Sequence, residues 1–208
     1  MNENKSGFTL IEVVVVLSVV AILAAILTPS IVKSINDSKI ARANNEVQVI
    51  GAAMAAFYKD LGRWPTKQNA VSTNNYYFIL YGAGNPMAAG SYSEWWSSDG
   101  ISWTQKDIFN NHLARNTPGG ATDPLNRYTL TGKLKWNGPY LTTIDADPWN
   151  THYSCNIRNL WDTTPFSTYA VYVLSAGENI IADTSHIQVI DTLTEPVLTG
   201  DDIGFRMK

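Results

Sequence analysis

Residues Phe8 to Leu27 read FTLIEVVVVLSVVAILAAIL, an apolar run interrupted by one charge, Glu12. As helix, at about 1.5 Å per residue, the run reaches roughly 30 Å, the thickness of a bilayer's hydrocarbon core. It is preceded by a short polar leader, MNENKS, and Gly7, and followed by Pro29 and a long stretch of helical pattern. Everything downstream is polar enough for water. The run is therefore an anchor and not one span of many.

The chain has 208 residues, enough for one anchor and one globular domain. Its formal charge is -3, and no block of like charges appears, so nothing recommends nucleic acid as a main partner. The single cysteine, Cys155, forms no internal disulfide, which leaves the soluble part to its core, with or without a bound ion. Most of the seven Trp and ten Tyr are expected in that core.

Three readings of the anchor compete. A cleaved secretory signal has a basic head and a small-residue cleavage site after the apolar stretch. Here the head sets Lys5 against Glu3, and no clean A-x-A follows. A plain uncleaved signal anchor is the second reading. The third comes from Gly7-Phe8-Thr9-Leu10-Ile11-Glu12 ahead of an aliphatic run, which resembles the start of type IV pilins and of the pseudopilins of type II secretion. The resemblance implies a dedicated prepilin peptidase that cuts after Gly7 and N-methylates the new terminus, Phe8. Gly7 makes steric sense at the cut, where a Cβ would crowd an enzyme working at the membrane surface.

A carboxylate within an apolar span costs roughly 3 kcal/mol to insert, so such a group is usually functional and paired. For Glu12 the resemblance implies a partner, the α-amine of a neighbouring subunit's mature Phe8. Opposite charges attract strongly in a medium of low dielectric, which would register each subunit against the last.

Thr28-Pro29 predicts a kink or local melting, because proline removes one intrahelical bond and crowds the preceding turn. Beyond it the apolar positions run Ile35, Ile40, Ala43, Val47, Ile50, Met54, Phe57 and Leu61, with steps of three and four from Val47 onward. Gly62 and then Pro65 mark the stop. One helix of about 54 residues would reach roughly 80 Å. The stripe is not sustained over three clean heptads, which argues against a coiled coil. Lys39–Thr66, ending Gly62-Arg63-Trp64-Pro65-Thr66, resembles the major pseudopilin of type II secretion.

The segment 67–127 is the least readable. Tyr76–Tyr81 is a short apolar run of strand or helix length, and Gly82–Gly100 reads as loop. Thr104–Asp107 looks like a helix start, with Ile108, Phe109, His112 and Leu113 on one face, ended by the turn residues of Asn116–Pro124. Trp95, Trp96 and Trp103 are either core or an exposed platform for a sugar or protein partner.

Tyr128–Trp136 alternates and predicts a strand or tight hairpin; His152–Ile157 alternates again, with Tyr153, Cys155 and Ile157 on one side. Ser167–Leu174 is the most apolar strand and is expected to be central. The fold class is α+β: a long N-terminal helix, transmembrane in its first half and amphipathic in its second, packed on a small antiparallel β-sheet. The expected organisation is a leader at 1–7, an assembly helix at 8–29 and a globular domain at 30–208. Within that domain lie the amphipathic helix 30–62, a variable segment 67–127, and the sheet with its C-terminal loop, 128–208.

Trp136–Leu141, Asp147–Asn150 and Tyr172–Gly177 also resemble the major pseudopilin. In that family a calcium ion sits between the loop after the last of these strands and acidic residues near the C-terminus. The matching residues are Leu174 (through its carbonyl), Ser175, Asn179, Asp201 and Asp202. Calcium takes six to eight oxygens, which paired aspartates and carbonyls can supply. Asn179 stands where an acidic side chain is common, Glu178 lies beside it, and the longer loop adds Asp183 and Asp191. A solvated acidic tail is the plain alternative.

His112, His152 and His186 lack metal-ligand spacing, and no nucleophile–base pair, phosphate loop or paired catalytic carboxylates support an enzyme. The resemblance implies a structural subunit of a helical homo-oligomer, held single-pass in a bacterial inner membrane with its C-terminal domain in the periplasm. Its implied partners are its own copies, minor pseudopilins, an inner-membrane assembly platform and the prepilin peptidase. Two alternatives stand: a type IV pilin or minor pilin for adhesion or DNA uptake, and a membrane-tethered glycan- or protein-binding module.

Overall fold

The computed structural model describes residues 7–66, 77–88, 106–120, 122–160, 169–185, 188, 190 and 197–208. The expected leader residues 1–6, the aromatic residues Tyr92, Trp95, Trp96 and Trp103, and His186 and Asp191 lie outside the described residues. By its internal contacts the chain forms two compact units, Met1–Lys39 and Ile40–Lys208.

Helix α1, Leu10–Leu61, runs through both. Its N-terminal part is long and apolar enough to cross a membrane, and none of that window is buried by the protein itself. The melting expected at Thr28-Pro29 is absent, since the backbone stays helical through Pro29. The Thr28 hydroxyl donates to the Ala24 carbonyl at 2.7 Å, and long helical stretches on both sides carry the loss of one bond. At the other end Gly62, with φ 64°, donates its N–H to Tyr58 O at 2.7 Å and closes the helix in the left-handed conformation glycine favours.

In the second unit the helix buries Ala43, Val47, Ile50, Met54, Phe57 and Leu61, the face its spacing predicts, together with Gly51 and Ala53. Ile35 and Ile40, N-terminal to that face, remain exposed. Against it lies a sheet of five strands, β1 (Ile79–Tyr81), β2 (Lys106–Ile108), β3 (Ser154–Cys155), β4 (Tyr172–Ser175) and β5 (Ile203–Arg206), in the order β2-β1-β3-β4-β5. Three ladders are antiparallel, as expected, and β1 with β2 adds a parallel pair at one edge. Strand β4 is interior, between β3 and β5, with β3 at the centre. Its continuous apolar character has a plain cause. Val171 and Val173 join the core shared with α1, while Tyr172 and Leu174 join a second core with Met87, Ala170, Ala176 and Ala182. Gly51 lets β5 close on the helix, because a Cβ there would run into the Phe205 ring.

Two expectations are corrected. Tyr128–Trp136 forms neither strand nor sheet; it is a chain of bends closed by a backbone bond, Trp136 N–H to Thr129 O at 2.8 Å. Its alternation meets no free sheet neighbour, and Leu130 and Leu134 stay exposed. The helix expected from Thr104–Asp107 begins later: Lys106–Ile108 pair with β1, and α2 spans Phe109–Leu113. Asp107 is the reason. Its buried carboxylate accepts from Ile108 N (2.8 Å), Asn111 Nδ2 (2.5 Å) and Gly119 N (2.7 Å), so it ties strand, helix and following turn together instead of capping a helix start. His112 Nε2 lies 2.9 Å from Asp107 Oδ2, off the line of a good hydrogen bond, and Nδ1 meets Tyr128 OH at 2.7 Å.

Phe57 sits where these parts converge. It is wholly buried, with Tyr128 edge-on at 4.9 Å and Tyr140 at 5.6 Å between ring centroids. Phe57→Ala is expected to cost about 3–5 kcal/mol, read as a lowered denaturation midpoint of the detergent-solubilised chain.

Candidate functional site

The first site is the start of α1. Thr9 precedes the first helical residue, and its backbone N–H and hydroxyl both donate to Glu12 Oε2 at 2.8 Å. In return Glu12 N–H approaches Thr9 Oγ1 at 3.4 Å. This is a capping box, Thr-x-x-Glu, in which each residue satisfies a donor the helix leaves open. The Thr9-x-x-Glu12 spacing in the sequence is the signal for this cap, which Glu12 makes in addition to any intersubunit role. Oε1 keeps its capacity to accept, with no partner among the described residues. Phe8 projects freely at 88 % exposure. Around Gly7 a Cβ would meet nothing within 4 Å, so packing inside the chain does not require glycine there.

The second site is the loop between β4 and β5. Gly177 (φ 66°) turns the chain where a Cβ would strike the Asp201 carbonyl. The turn lets Asn179 N–H reach Asp201 Oδ2 at 2.8 Å, while Asn179 Nδ2 donates to Asp183 Oδ2 at 3.0 Å. Asp202 Oδ2 accepts from Thr184 N at 2.6 Å. Its other oxygen, Oδ1, is buried without a hydrogen-bond partner, in a residue only 8 % exposed. Desolvation pushes the Asp202 carboxyl up to about 6. The loop thus gathers Asn179, Asp183, Asp201 and Asp202, although no three acidic or histidine side chains among the described residues meet as a ready metal cage.

Ser175 faces elsewhere. Its hydroxyl donates to Asp147 Oδ2 at 2.6 Å, and Leu174 is held in the sheet opposite Gly204. Asp147 is a hub the sequence did not announce. It also accepts from Trp149 N (3.0 Å), Thr151 N (2.7 Å) and Thr151 Oγ1 (2.6 Å). The Asp-Pro-Trp-Asn motif is therefore a structural turn bound to the end of β4.

Comparison with known proteins bears on the first site. Residues 3–28 match the family model described as the prokaryotic N-terminal methylation motif. The chain is pilin-like. It is 27 % identical over 146 residues to the type II secretion system core protein G of Pseudomonas aeruginosa, covering 70 % of this chain and 94 % of that one. It is 26 % identical over 153 residues to the type IV major pilin protein PilA of Myxococcus xanthus, covering 71 % and 67 %. A shorter likeness, 33 % over 70 residues, joins this pilin-like chain to the fimbrial protein EcpC of Eikenella corrodens, across 34 % and 46 % of the two. No solved structure matches.

Proposed function

We propose that the chain is a structural subunit of a type II secretion pseudopilus, with α1 serving first as a membrane span and later as filament core. One observation carries this reading: the methylation motif coincides with an apolar helix that its own chain leaves uncovered. A surface of that kind is stable only in lipid or against other subunits. The pseudopilus is preferred to a pilus because the likeness to the secretion core protein spans nearly all of that relative. Processing cuts after Gly7, which no internal contact demands, and methylates Phe8. Subunits pass from a bacterial inner membrane, with the globular domain in the periplasm, into a helical stack. The partners are further copies, minor pseudopilins, the assembly platform and the prepilin peptidase. Mass spectrometry of the mature protein is expected to find N-methylated Phe8 at its terminus; an intact Met1 would overturn the assignment. Long surface fibres in place of short periplasmic ones would favour a type IV pilus.

The β4–β5 loop takes calcium in this proposal. Its donors are all oxygens, and the buried, unpartnered Asp202 Oδ1 is the kind of group a hard cation satisfies. Asp201 and Asp202 would hold the ion with Asp183 and Asn179, while the Ser175 hydroxyl is engaged by Asp147. A bound calcium supplies positive charge that pins a long loop lacking a disulfide. Adding calcium at a hundredfold excess over its dissociation constant should stabilise the chain by about 2.7 kcal/mol. That is a rise of roughly 5–10 °C in Tm against a chelator control. An unchanged Tm would retire the site.

A further inference from the structure

The second unit carries a charged surface that sequence order hides. Lys59 lies in the last turn of α1 and Arg63 just beyond its end, and Arg115, Arg127, Lys133 and Lys135 come from later turns. The fold brings them together. A Cβ on Gly62 would meet the Leu134 side chain at 3.3 Å, and the Arg63 guanidinium lies 5.2 Å from the Tyr128 ring centroid. Asn116 then clamps Tyr128 from both sides, accepting its N–H at 2.7 Å and donating to its carbonyl at 3.0 Å. No carboxylate of a described residue lies within ion-pair range of any of the six cations. The acids nearby are engaged: Asp60 accepts from Tyr140 OH at 3.0 Å, and Asp123 from Leu125 N at 2.9 Å. Among the cations stand Leu125, Leu130 and Leu134, 74 %, 59 % and 53 % exposed. Unpaired cations interleaved with exposed leucines mark a docking surface more than a solvated face.

The chain also carries a complement. Six of its fifteen basic residues gather here against two of its eighteen acidic ones, so the rest of the chain is strongly acidic. Part of that acidity meets apolar surface at the β4–β5 loop, where exposed Glu178 stands with exposed Ile180, Val197 and Leu198, and where Asp183, Asp201 and Asp202 outweigh even the proposed calcium. No ion pair joins the two surfaces within one chain among the described residues. We propose that the cationic, leucine-studded surface at the end of α1 docks the acidic β4–β5 surface of a second copy of this chain. Contact between two different patches of identical subunits is heterologous and propagates into an open helix, as a filament requires. The inference rests on the filament reading and names which globular surfaces meet.

The test uses the full chain in cells that assemble it. Lys133→Glu with Lys135→Glu is expected to cut sheared filament by about tenfold or more, since like charges would then face each other. Adding Glu178→Lys should restore much of the yield. Lys133 is exposed and Lys135 half-buried, and neither is in an ion pair among the described residues, so the extracted variants should keep a denaturation midpoint close to wild type, which separates assembly from folding. Independently, Leu134→Cys combined with Val197→Cys should give a ladder of disulfide-linked multimers under mild oxidant, and neither cysteine alone should. Cys155 stays silent, because burial pushes its thiol up and encloses it. Normal filaments from the charge-reversed chain without a ladder would overturn this interface and leave the filament reading standing. Normal filaments with lost retention on DNA or anionic vesicles would give the surface to that partner and also overturn it. Failure of the unaltered chain to form any filament would sink both readings.

Discussion

Glu12→Ala should abolish filament assembly while leaving the chain in the membrane. Insertion becomes easier once a carboxylate costing roughly 3 kcal/mol leaves an apolar span. The capping box is lost too, which frays the first turn by about 1 kcal/mol and leaves the remaining length of α1 intact. Assembly, by contrast, loses the anion expected to pair with the neighbour's terminal amine. Glu12→Gln separates the two roles, because its amide oxygen still accepts from Thr9 but carries no charge. The expected order of filament yield is wild type far above Gln, with Ala equal to or below Gln, measured on sheared fractions beside membrane fractionation. Wild-type filament from Glu12→Gln would show that capping and not charge is what assembly needs.

Asp147→Ala should cost the globular unit on the order of 4 kcal/mol and abolish filaments as a consequence of misfolding. Four donors converge on this buried carboxylate, two backbone N–H groups and two hydroxyls. Removing the acceptor strands them away from water, and each stranded group costs about 1–3 kcal/mol before relaxation. Asp147→Asn keeps one oxygen and should lose roughly half as much. Denaturation of the detergent-solubilised variants checks both. A loss under about 1 kcal/mol for the alanine variant would mean water replaces the carboxylate readily.

These predictions differ in how far the sequence foretold them. The span, the buried face from Val47 to Leu61 and the stop at Gly62 were legible because each rests on a local rule, length, period or backbone conformation. Strand β4 was legible because both of its faces are buried. Strand β3 was legible in the alternation of His152–Ile157, whose Tyr153, Cys155 and Ile157 all enter the core, whereas β1, β2 and β5 hold only three or four residues, too short for a period to show. The parallel partnership of β1 and β2 depends on a connection no local pattern encodes. Asp107 reads as part of a helix start and Asp147 as part of an Asp-Pro-Trp-Asn stretch, since nothing in their neighbours signals the donors that the fold supplies. Tyr128–Trp136 shows the converse, an alternating pattern with no sheet edge to receive it. The cationic surface was invisible for a simpler reason. Its members are scattered from Lys59 to Lys135, and a search for blocks along the chain passes over them. Of the expected calcium residues, Asn179 and Asp201 meet directly, whereas Ser175 answers to Asp147.

The uncovered apolar length of α1 has an energetic corollary. A lipid tail and a neighbouring aliphatic helix are nearly equivalent solvents for valine and leucine, so moving the helix from one to the other releases little hydrophobic free energy. Extraction is then close to a solvent exchange at constant polarity. On the proposed function, the direction of that exchange falls to the few groups that distinguish the two media, the Glu12 carboxylate and the proposed contacts between globular units. On the proposed function, a subunit built this way leaves the bilayer for the filament without a large barrier of hydration.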